Sequence, residues 1–93
     1  MTYRIIVEPE AVNDLQNIYR YIKTNDSEAK AVKFLSQLYE KIRSLERMPE
    51  RCRPSYYSEQ EGTKDLIHKG YTIVFSVQLE TVHILTIFRQ REF

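Results

Sequence analysis

The chain has 93 residues, 42% of them hydrophobic and 29% charged, with seven Tyr and four Phe. That is room for one compact core, and it is too apolar for a disordered chain. Fourteen Lys and Arg against thirteen Asp and Glu leave a formal net charge of +1, without the basic excess of a protein that lives on phosphate contacts. Any nucleic-acid contact is therefore expected to be local or made through a protein partner. The single cysteine, Cys52, excludes an internal disulfide and a cysteine-based zinc site. With no bridge to protect, the expected compartment is the reducing cytoplasm. No run approaches the roughly 20 apolar residues of a membrane span, and charge breaks the N-terminal apolar run too early for a signal peptide.

Tyr3 to Val7 is rich in β-branched residues and predicts a first strand, ended by Glu8-Pro9. Ala11, Leu15, Ile18 and Ile22 then recur at spacings of four, three and four, with Val12 and Tyr19 widening the stripe. This predicts an amphipathic helix over 9–23 that starts on proline. Lys23-Thr24-Asn25-Asp26-Ser27 breaks the pattern; Asn25 with Glu28 resembles a capping box, and Asp26 or Ser27 could serve as N-cap instead. Ala31, Leu35, Leu38, Ile42 and Leu45 predict a second helix over 27–48, stopped before Pro49. So short a connection folds the two helices back as an antiparallel hairpin.

Residues 49–62 show no periodicity. Three β-like runs follow, Thr63–Lys69, Tyr71–Gln78 and Thr81–Phe88, punctuated by Gly70 and by a tight turn at Leu79-Glu80. One strand, two helices and three strands make an α+β fold: a β-α-α-β-β-β chain, with the helix hairpin on one face of a mainly antiparallel sheet. Residues 1–93 are expected to form a single domain. A two-residue turn would pair Val77 with Val82, Phe75 with Ile84, Ser76 with His83 and Val74 with Leu85. On that register the face away from the helices collects Thr72, Ser76, His83, Ile87, Arg89 and Arg91.

The order of elements and its local patterns resemble the RelE/ParE toxin superfamily over residues 3–92. The resemblance rests on Glu8-Pro9-Glu10-Ala11-Val12-Asn13-Asp14-Leu15 with Ile18 and Tyr21-Ile22, and on Phe34-Leu35, Ile42 and Leu45 before Pro49. It closes with Asp65-Leu66, the strand Tyr71–Val77, and Val82–Ile87 ahead of an arginine-bearing tail. It implies the toxin half of a type II toxin–antitoxin pair, held inactive by an antitoxin whose tail lies in a groove of the helix hairpin or adds along the sheet. The antitoxin would supply the operator-DNA contacts. Leu15, Tyr19, Ile22, Leu35 and Tyr39 are the candidate antitoxin contacts.

The superfamily divides by target. RelE-like members cut mRNA in the ribosome, and ParE-like members block DNA gyrase without hydrolysis. Cleavage at a 2′-hydroxyl needs a base, cations on the phosphorane and an acid for the leaving oxygen. Similar nucleases place Arg directly after the tyrosine that opens the penultimate strand; here Thr72 stands there. The tail Gln90-Arg91-Glu92-Phe93 also lacks the His or Tyr such enzymes use. The resemblance therefore favours the ParE-like reading. A RelE-like endoribonuclease with Arg89, Arg91, Lys64 and His83 as its catalytic groups is the alternative, and an inert antitoxin-binding module is a third.

For target contact the candidates are Arg89, Arg91, Lys64, Arg51 and Arg53. The last two are interleaved with Tyr56 and Tyr57, which suits stacking or a protein hot spot. His83 and His68 also read as ordinary strand residues, Cys52 as incidental, and Asp14 as a solvent-face residue of the first helix. No metal site, cofactor or small-molecule substrate is expected.

Overall fold

The computed structural model describes residues 2–47, 49–55 and 62–89. The chain runs β1 (Arg4–Val7), α1 (Pro9–Asn25), α2 (Glu28–Ser44), one 3-10 turn at Pro49–Arg51, β2 (Arg53–Pro54), β3 (Thr63–His68), β4 (Tyr71–Gln78) and β5 (Thr81–Arg89). The strands form one sheet in the order β1-β5-β4-β3-β2. β1 runs parallel to β5 and every other pair is antiparallel. The α+β reading holds, with one addition: the two-residue β2 lies inside the stretch that showed no periodicity.

Local chemistry sets the helix limits. Glu8 is extended and Pro9 sits at the first helical position, where its missing N–H costs nothing. Ser27 caps α2, its hydroxyl accepting from Lys30 N at 3.2 Å. Residues 45–47 turn instead of continuing the helix. That turn keeps Leu45 in the core and lets Glu46 O accept from Tyr3 N at 2.6 Å, which ties the start of the chain to the end of α2.

The apolar stripes Ala11–Leu15–Ile18 and Leu35–Leu38–Ile42–Leu45 pack on Ile73, Phe75, Val82, Ile84 and Ile87. Phe75, Leu38, Ile73, Val82 and Ile84 are all fully buried. Both tight turns need positive φ. Lys69 (46°) and Gly70 (84°) form the β3–β4 turn with the left-handed pair that suits a two-residue hairpin, and Leu79 (55°) opens the β4–β5 turn.

One irregularity decides which residues share a face. Phe75 pairs with Ile84, Ser76 with His83 and Val77 with Val82, as expected, but Val74 pairs with Thr86. Leu85 is the extra residue of a β-bulge at the Val74/Phe75 step. Every residue beyond it therefore changes side relative to an uninterrupted ladder. Ile87 pairs with Ile73 and lies in the core, not on the far face. Arg89 pairs with Tyr71 on the helix side, apart from His83.

Candidate functional site

Three surfaces carry the candidate residues. The first is a groove of about 670 Å³ between the two helices. Leu15 and Leu35, both largely buried, form its floor, and Tyr19 and Tyr39 stand on its walls. The Tyr19 hydroxyl donates to Glu28 Oε1 at 3.0 Å, which bridges the start of α2 to α1 and raises the phenol's pKa. Four of the five hairpin candidates thus meet here. Ile22 does not line the groove; it packs half-buried against the core.

Sequence reading missed Val32, Arg20 and Lys23 as groove residues; they line it along with Val12, Gln16 and Ser36. The signal was present: Val32, Ser36 and Tyr39 repeat at four and three along α2, beside the core stripe. Val12, Val32 and Tyr39 are each about half exposed, an apolar strip that a monomer leaves wet.

The second surface is the sheet face away from the helices. It was expected to be open, but its centre is not. Thr72 is 0% exposed, Val74 4%, Ser76 7% and Asp65 3%. β2 lies beside β3 and brings the Arg53 guanidinium to 3.7 Å from the Asp65 carboxylate, whose side chain is wholly buried. Arg53 is therefore committed to an internal ion pair. The Thr63 and Thr72 hydroxyls are buried and find no partner among the described residues.

The third surface is scattered. Lys64 pairs with Phe75, which puts it on the helix side of the sheet, and its ammonium donates to Cys52 O at 3.3 Å. Arg51 is exposed on the 3-10 turn nearby. Arg89 pairs with β4 four positions from the Lys64 pairing, about 13 Å along the strand direction and two strands across the sheet. His83 is on the opposite face from Lys64, its Nδ1 2.8 Å from Glu8 Oε1. Arg91, Tyr56 and Tyr57 lie outside the described residues. The structure thus places Arg51, Arg53 and Lys64 near β2, with Arg53 and Lys64 on opposite faces of the sheet, and leaves Arg89 and His83 separate.

The remaining titratable groups have structural settings. Burial pushes the Cys52 thiol's pKa up, which makes it a poor nucleophile. Among the described residues no three His, Cys, Asp or Glu side chains gather as a metal would require. His68 packs on the Phe34 ring at 5.9 Å, with Nε2 3.4 Å from Gln37 Oε1. Burial first, then the Lys41 and Lys69 ammoniums, lower its pKa below the ordinary 6.5.

A histidine shifted this way adds stability above its unfolded pKa and loses it as pH falls through that value toward the folded one. His68→Gln is therefore expected to flatten the decline in stability between about pH 7 and pH 5. Urea midpoints at the two pH values read the effect. Equal slopes for parent and variant would remove His68 from the pH response.

Asp14 was expected on the solvent face and is not there. Its Oδ2 accepts from the Thr86 hydroxyl at 2.7 Å and from Ile87 N at 3.0 Å. β1 accompanies β5 as far as Ile84, with Glu8 N donating to Ile84 O at 2.9 Å. Beyond that point the helix carboxylate takes the place of a neighbouring strand. The signal in the sequence was an acid on the face of α1 that carries Ile18, but periodicity alone could not say that a strand edge lay opposite.

The family model for the ParE toxin of type II toxin–antitoxin systems, parDE, matches residues 5–92. The chain belongs to this family. Solved structures agree in fold. This ParE-family toxin superimposes on a chain of the chromosomal ParDE toxin–antitoxin system from P. aeruginosa with a TM-score of 0.83 at 22% identity, covering 97% of this chain and 98% of that one. A chain of the toxin–antitoxin complex RelBE2 from Mycobacterium tuberculosis gives 0.73 at 19% identity, over 99% and 95%. The YoeB dimer from Staphylococcus aureus gives 0.62 at 18%, over 100% of both chains. No curated protein sequence matches the chain. No helix among the described residues of this toxin is long and apolar enough to cross a membrane.

Proposed function

We propose that this toxin is a ParE-like inhibitor of DNA gyrase that acts by binding and not by hydrolysis. On this reading residues 1–93 are one toxin domain working in the cytoplasm. An antitoxin lying in the α1–α2 groove restrains it and supplies any operator-DNA contact.

The observation that carries the reading is the dispersal, among the described residues, of the would-be catalytic groups Lys64, His83 and Arg89. Ribonucleolysis needs its base, cation and acid around one phosphate. Here Lys64 and His83 occupy opposite faces of the sheet, and Arg89 lies about 13 Å along the strand direction and two strands across from Lys64. Thr72, the position where similar nucleases carry an arginine, is a fully buried hydroxyl. A net charge of +1 also suits a protein target better than ribosomal RNA. Among the described target-contact candidates, Arg89 and Arg51 are the exposed cations. The groove supports the antitoxin half of the reading: its apolar floor and exposed Val32 and Tyr39 suit an amphipathic segment.

The test is a purified supercoiling assay beside a translation reaction. The chain is expected to stop gyrase from supercoiling relaxed plasmid and to leave ribosome-bound mRNA intact. Cut mRNA with unaffected supercoiling would replace this reading with the RelE-like one. Inactivity in both assays, with no slowing of growth on expression, would leave an antitoxin-binding module.

A further inference from the structure

A recess of about 420 Å³ opens where the end of β5 passes α1, on the far side of that helix from the groove. Its floor is Ile18 and Ile87, its walls are Tyr21 and Tyr71, and Arg89 stands at its edge beside Asn17. Three features separate it from an ordinary dimple. Arg89 is exposed and makes no ion pair among the described residues. Tyr21 is 53% exposed, an aromatic left uncovered next to that cation.

The third feature is the backbone. Ile87 N points away from β4 toward Asp14, so by strand alternation Arg89 N points the same way, two residues past the last hydrogen bond that α1 supplies to the strand. No described strand lies beside β5 at that point. Among the described residues, an apolar floor, a guanidinium with no ion pair and a strand edge with no neighbouring strand therefore coincide.

We propose that this recess binds an extended segment of a protein partner that presents a carboxylate beside an aromatic or branched apolar side chain. The carboxylate pairs with the Arg89 guanidinium, whose planar fork suits it. The apolar side chain fills the floor between Tyr21 and Tyr71. The segment's backbone runs along the open edge of β5.

Asp14 favours a peptide over a nucleic acid. Its Oδ2 is already committed to Thr86 and Ile87, and its Oδ1 has no donor among the described residues. That oxygen can accept a peptide N–H, and its charge repels a phosphate dianion more than a single carboxylate. The inference concerns binding alone and stands whether or not gyrase is the cellular target.

The experiment titrates the full chain, observed by NMR, with three small probes: N-acetylphenylalanine, its uncharged carboxamide, and phenyl phosphate. The acid is expected to move the Arg89 Nε–H and Tyr21 ring signals with millimolar affinity. The carboxamide and phenyl phosphate should each bind at least about tenfold more weakly. Arg89→Gln should lose binding of the acid by at least about tenfold, and Arg43→Gln, an exposed cation outside the recess, should keep it. Equal binding of acid and carboxamide, binding that survives Arg89→Gln, or tighter binding of phenyl phosphate would each overturn the proposal. All three probes are read on folded protein, since Arg89 is exposed and its replacement leaves the core untouched.

Discussion

Replacing Asp14 by Ala costs the fold about 3 kcal/mol, because two bonds to a charged group disappear at roughly 1.5–3 kcal/mol each, less what water restores. The donors left behind are not equal. The Thr86 hydroxyl can rotate to solvent, whereas Ile87 N is fixed by the strand and aimed at the helix. Urea midpoints measure the cost, and hydrogen exchange at the Ile87 amide locates it: protection there should fall before protection at Ile73 does. Asp14→Asn keeps an acceptor without the charge and should recover about half the loss. A cost below about 0.5 kcal/mol for Asp14→Ala would return this residue to an ordinary surface position.

Phe75→Ala is expected to cost more, about 4 kcal/mol, from lost burial and the cavity left behind. Phe75 is 0% exposed, belongs to the cluster that joins both helices to the sheet, and adjoins the step where the β4–β5 ladder slips. A chain of this length has roughly 5–14 kcal/mol of stability in total. The variant should therefore lie close to unfolding at body temperature and gain visibly from any partner that binds the native state alone. Phe75→Leu, which retains much of the volume, should cost less than half as much. Thermal or urea unfolding of the pair decides it. If the two substitutions cost the same, the centre of the core lies elsewhere.

The two variants bracket the range of what could be read from residues alone. Phe75 was legible because strand alternation puts it with Ile73 and Val77, and the helix stripes needed such a face to cover. Asp14 was not legible. Its partners lie more than seventy residues away, and nothing in a helical repeat distinguishes an acid facing water from one facing a strand edge. The groove falls between these cases. Leu15 and Leu35 follow from the core stripes, but the exposed Val32 beside them reads as a stray apolar residue until the neighbouring helix is in place.

The register error has one cause. The turn at Leu79-Glu80 correctly aligned Val77 with Val82 and Phe75 with Ile84. The assumption that the ladder then runs uninterrupted failed at Leu85. A bulge has no strong sequence signature, since any residue can be the extra one, and its effect is to exchange the faces of everything beyond it. Ile87 and Arg89 therefore lie on the helix side, and the recess at Arg89 exists because of that exchange.

Sequence alone determined the order of the two helices and the four longer strands, the hairpin of helices, the mainly antiparallel sheet and most of the apolar residues that hold them together. Each of these follows from local periodicity, caps and turns, which act over a few residues. Tertiary structure decided the rest: which charges are spent, as Arg53 is on Asp65; which edges are covered, as Asp14 covers β5; and on which face Arg89 stands. Those outcomes depend on residues far apart in the chain meeting at distances of a few ångströms, and a single extra residue in one strand is enough to redirect them.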